Sequence, residues 1–135
     1  MNYTYLNEES VHGILETGGS VQQWLSVTMD DGFRIIKWIE IDAMRNGKYG
    51  VFLHDALDTG SENDIDITEF YNTNDVDSPE GILTEYDSIS DALQYCTSIG
   101  ARDGFYVKIC QIQYIYQDYV RKNGIAPKGI NEYFS

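Results

Sequence analysis

The sequence predicts an α+β fold: a single domain over residues 1–135, with a mostly antiparallel sheet of about five or six strands and two or three helices packed on one face. Three observations carry this. Residues 21–57 hold three apolar, alternating runs separated by the turn signals Asp30-Asp31-Gly32 and Asn46-Gly47. Two later stretches, one opening at Ser88 and one at Gln111, change to helical spacing. At 135 residues the chain matches the usual size of one domain with its own core.

Tyr3 to Leu6 reads as a short edge strand. Asn7 then offers a cap to a helix over Glu8 to Glu16, with two acids at its positive end and Val11, Ile14 and Leu15 as its apolar stripe. Gly18-Gly19 stops it. Val21 to Met29 reads as a strand with Val21, Leu25, Val27 and Met29 on one face. In the next strand, Arg34 to Ala43, Ile35, Ile39 and Ile41 oppose Ile36 and Trp38, as in a central strand covered on both faces. Asn46-Gly47 predicts a type I′ turn. The returning strand, Tyr49 to Leu57, sets Tyr49, Val51 and Leu53 against Phe52, which completes a three-stranded meander.

Ile65 to Tyr71 alternates and is expected to be a fourth strand. Residues 72–81, with Pro79, lack a pattern and read as loop. Ile82 to Tyr86 suits a fifth short strand. Ser88 with Asp91 resembles a capping box for a helix carrying Ile89, Ala92, Leu93 and Cys96, closed at Gly100. Phe105 to Cys110 reads as a strand. Ile112, Ile115, Tyr116, Tyr119 and Val120 then fall at i, i+3, i+4, i+7 and i+8, a helical stripe closed at Gly124. A competing reading extends one strand through Tyr116. Tyr133 and Phe134 are expected to dock the tail.

Charge is the outlier. Twenty-two acidic residues face nine basic ones, for a formal net charge of −13. Such a chain repels nucleic acid and acidic membrane surfaces and is drawn to basic proteins. From Tyr49 to Ala101 there is neither Lys nor Arg, and the acids there are expected to sum into one field. Asp55, Asp58, Glu62, Asp64, Asp66, Glu69, Asp75 and Asp77 are the candidate partner-binding residues, with Tyr71 as an aromatic anchor. Charges of this kind set on-rates, while buried aromatics carry binding energy. In this reading the ribbon Phe33–Leu57 is a scaffold that delivers the chain into the acidic segment.

The function expected is neutralisation of a basic partner such as a nuclease or toxin, in the manner of immunity proteins, antitoxins or phage-encoded inhibitors. No direct nucleic-acid binding, membrane contact or catalysis is expected. The alternatives are a small enzyme or divalent-metal protein using clustered carboxylates, and a housekeeping or oligomeric domain without a site. No Walker loop, G-x-G-x-x-G, C-x-x-C or G-x-S-x-G occurs, so no cofactor is expected. The acidic runs lack the Gly and Glu placement of a calcium loop. His54 and Asp55 are strand neighbours and point to opposite faces. Cys96 and Cys110 are expected to be buried free thiols in a reducing compartment. The polar N-terminus and the lack of a long apolar run lead to a cytoplasmic expectation.

Overall fold

The computed structural model describes residues 2–74 and 81–135. It is an α+β domain built on a five-stranded antiparallel sheet. The strands are β1 (Ser20–Asp30), β2 (Phe33–Ala43), β3 (Tyr49–Leu57), β4 (Ile82–Tyr86) and β5 (Val107–Lys108), in the order β4-β3-β2-β1-β5. The helices are α1 (Glu8–Glu16), α2 (Ile89–Ser98), α3 (Ile112–Asn123) and the single turn α4 (Ile130–Tyr133). β2 is the central strand, as its two apolar faces require. Ile39 and Ile41 join Val21 and Val51 beneath α1 and α2, whereas Ile36 and Trp38 meet Ile112, Tyr116 and Val120 of α3 on the opposite face. Two helices therefore share one face, and the third closes the other.

Local chemistry sets the boundaries. Asn7 Oδ1 accepts from Ser10 N at 2.8 Å and Ser88 Oγ from Asp91 N at 3.1 Å, so each cap satisfies an amide that lacks a helical partner. Gly124, at φ 79°, ends α3. The two hairpins divide the turn types differently from the expectation. Asp31 and Gly32 both take positive φ, at 51° and 85°, so the two-residue type I′ turn joins β1 to β2. At the other hairpin only Gly47 has positive φ. There Gly47 N donates to Met44 O and Met44 N to Lys48 O, a three-residue loop in which glycine takes the left-handed place.

Four further departures have clear causes. A bulge between Trp24 and Ser26 shifts the alternation of β1, so Leu25 packs with Val21 while Val27 joins Trp24 under α3. Ile65 to Tyr71 is not a strand. Asp66 accepts from Thr68 N and caps a short 3-10 helix, Ile67–Glu69, that buries Ile67 and Phe70. The strand at Phe105 to Cys110 shrinks to Val107–Lys108, because Cys110 adopts a φ of 73° and turns the chain into α3. Residues 3–6 contribute one bridge, Leu6 to Tyr106, in place of a strand.

Candidate functional site

The loop after β3 is rooted in a buried ion pair. Arg34 Nε donates to Asp58 Oδ2 at 2.6 Å, with both side chains almost wholly shielded from solvent. Tyr116 OH and Gly60 N donate to Asp58 Oδ1. Arg34 Nη2 reaches Gly124 O at 2.7 Å, and its guanidinium lies 4.8 Å from the Tyr119 ring centre. A buried pair is tolerable when further hydrogen bonds support it, and here Asp58 accepts two more while Arg34 makes one more. Burial, reinforced by the bond to Asp58, pushes the Tyr116 hydroxyl well above the ordinary phenol range. The cluster ties β2, the acidic loop and the end of α3 together. Asp58 is 1 % exposed, so it cannot meet a partner. Its role is structural.

The loop beyond this root is exposed at Glu62, Asp64, Asp66 and Glu69. Glu62 is neutralised in part by Arg121, whose Nε donates to its Oε1 at 2.7 Å. Asp66 is engaged as the cap of the 3-10 helix, accepting from the amide and hydroxyl of Thr68. Among the described residues, no basic side chain forms an ion pair with Asp64 or Glu69. Asp55 is half-buried in β3 opposite Lys37. Asp75 and Asp77 lie outside the described residues. The proposed anchor Tyr71 is occupied by the chain's own tail, with its ring centre 5.7 Å from that of Tyr133 and 5.1 Å from that of Phe134. Phe33 completes this aromatic group at 5.4 Å from Tyr133.

The described acids beyond Leu57 and those after β4 lie toward different ends of β3. Tyr49 pairs with Tyr86, so Glu85 and Asp87 sit where β3 begins, while residues 62–69 follow Leu57 at its other end. Eight strand steps separate the two ends, roughly 26 Å. That exceeds the Debye length of about 8 Å at physiological salt, so charges at the two ends of the strand are largely screened from each other.

A buried polar group, His54, and a half-buried one, Glu40, lie on the α3 side of the sheet. His54 stacks on Trp38 with ring centres 3.9 Å apart and 5° between planes, and its Nδ1 is 3.2 Å from Asn72 Nδ2. Burial pulls its pKa down to about 4, against the contrary effects of Asn72 and Asp42, so the ring is neutral. Glu40 accepts from Gln22 Nε2 at 2.7 Å. Burial, then a hydrogen bond shared with Asp42, pushes its pKa up to about 7. Cys96 is buried with its thiol pushed up to about 11, chiefly by burial, which makes it a poor nucleophile. Cys110 is exposed, contrary to expectation, because the turn into α3 lifts it off the sheet. Among the described residues, no group of three or more His, Cys, Asp or Glu is placed to hold a metal ion, and no helix is long and apolar enough to cross a membrane.

No family model, curated protein or solved structure matches the chain. Sequence reasoning missed Arg34 as a buried group and Glu40 as a half-buried one, although the signal was present. Both fall on the even positions of β2 with Ile36 and Trp38, and a charge on an apolar face requires a buried partner.

Proposed function

We propose that this chain is a small, non-catalytic cytoplasmic binding protein that docks a basic protein partner, in the manner of an immunity protein, an antitoxin or a phage-type inhibitor of a nucleic-acid enzyme. One observation carries the reading. Asp64, Asp66 and Glu69 stand exposed on a loop whose root is fixed by the Arg34–Asp58–Tyr116 cluster, and Asp64 and Glu69 have no ion-pair partner among the described residues. Carboxylates held in place this way cost little further ordering when a basic surface arrives, and they steer its approach. They also repel the phosphates that such a partner would otherwise bind.

The test is affinity capture from lysate with the wild type and with the Asp64→Asn/Glu69→Gln variant, at ~0.05 M and ~0.5 M salt. A basic protein retained in stoichiometric amount at low salt, released at high salt and lost with the variant supports the reading. Retention unaffected by the variant, or no basic protein retained, ends it. A second reading, carboxylate chemistry, is favoured by the Glu40–Asp42 pair alone. Titration with calcium or magnesium, followed by melting temperature, tests its metal-dependent form; a flat response at millimolar ion removes it.

A further inference from the structure

β4 ends the sheet. Its inner side pairs with β3 through all five residues, Ile82 with Leu53 to Tyr86 with Tyr49, and no described residue pairs with its outer side. Adjacent residues Ile82 and Leu83 are 42 % and 41 % exposed, one on each face of the strand. An unpaired edge carrying exposed apolar side chains is a template for another strand unless it is blocked. The opposite edge is blocked: β1 carries the bulge near Leu25, β5 covers Val21 and Gln22, and Gln23 is tied to Arg102 by two hydrogen bonds. β4 has no bulge, proline or lysine to serve that purpose.

Charge selects the occupant. Among the described residues, the exposed Glu85 is bonded to the neutral amide of Asn46 alone, at 3.0 Å, and Asp87 meets Lys48 no closer than 3.7 Å. A second copy of this chain would bring like charge to like charge, at −13 per chain. A basic segment meets the opposite condition. We propose that the outer edge of β4 receives an extended basic segment of the partner as a sixth strand, its apolar side chains covering Ile82 and Leu83 and its lysines or arginines facing Glu85 and Asp87. This mode takes affinity from main-chain hydrogen bonds and specificity from alternate side chains. It rests on the reading of this chain as a binder of basic proteins. The Ile82 end of the edge lies opposite Leu53, four residues before the acidic loop departs, roughly 13 Å along the strand. One partner can therefore span both.

The probe is a synthetic peptide of alternating Lys and Val, beside a peptide of equal charge with Pro at alternate positions, which cannot pair as a strand. Binding is followed by amide hydrogen exchange at low salt, with the wild type and with Ile82→Lys/Leu83→Lys. The expected result is slowed exchange in β4 with the Lys/Val peptide, and affinity lowered at least about tenfold by proline or by the edge lysines. Circular dichroism confirms that the variant is folded. Equal binding of both peptides, or protection at residues 62–69 without protection in β4, overturns the edge proposal and leaves the acidic-binder reading standing. No binding of either peptide overturns the edge proposal too, and the reading itself is judged by the lysate capture.

Discussion

The loop that leaves β3 has a buried root and an exposed crown. At the root, Asp58 is surrounded by Arg34, Tyr116 and the amide of Gly60. In the crown, six residues on, Asp64 faces water. The two carboxylates are the same chemical group in one acidic run, yet one is locked into the fold and the other is open to solvent. Charge counted along a sequence cannot separate these roles. Burial separates them, and burial depends on whether the topology supplies a cation, here Arg34 from β2.

Disrupting the root gives the largest expected effect. Asp58→Ala leaves the Arg34 guanidinium buried without its anion, a loss of about 3–5 kcal/mol. For a chain of this size that lowers the melting temperature by about 10–20 °C. Replacing both partners, as in Arg34→Met/Asp58→Leu, is expected to recover much of it, because no charge is left stranded. If the single and double variants melt together, the cluster is not the root. Gly60→Ala comes next: its Cβ would sit 2.3 Å from Asp64 O and 2.6 Å from Tyr116 OH, so the crown must shift, at a cost of about 1–3 kcal/mol by melting.

pH separates the buried groups from the crown. His54 titrates at about 4 in the fold against an ordinary 6.5, so the unfolded chain binds its proton first. Its contribution is complete above about 6.5 and is lost as pH falls toward 4, on the order of 3 kcal/mol in all. Glu40 has the opposite sign. Raised from 4.5 to about 7, its contribution is complete below 4.5 and is lost as pH rises through 7. Denaturant melts of His54→Gln should show a smaller loss of stability on acidification than the wild type. Those of Glu40→Gln should show a smaller loss between pH 4.5 and 7. Slopes unchanged in both variants would contradict the shielding of these groups from water. The smallest effect belongs to the crown: Asp64→Asn/Glu69→Gln should stay within about 0.5 kcal/mol of wild-type stability, since neither side chain is buried.

The framework was legible because its signals are local. Alternation in β2 and β3, glycine at the turns, Asn7 and Ser88 at helix starts and the 3.6 period of α3 all act over a few residues, and each reappears in the structure. Where a signal competes with another, the sequence misleads. Ile65 to Tyr71 alternates like a strand, but Asp66 beside Thr68 offers a cap and Ile67 and Phe70 gain burial under α3, so a 3-10 turn wins. The candidate site was less legible. The run from Tyr49 to Ala101 contains no cation, yet Arg34 and Arg121 reach it from elsewhere in the chain. Tyr71 is likewise claimed by Tyr133 and Phe134, more than sixty positions away. Contacts of that range follow from topology, which no window of sequence contains.

The central claim is that the crown, and not the root, meets a basic partner. The most direct measurement is salt-dependent capture from lysate by the wild type beside folded Asp64→Asn/Glu69→Gln protein. One basic protein is expected to bind the wild type at low salt, to be shed at high salt and to be missing from the variant. A partner retained equally by both proteins would contradict it.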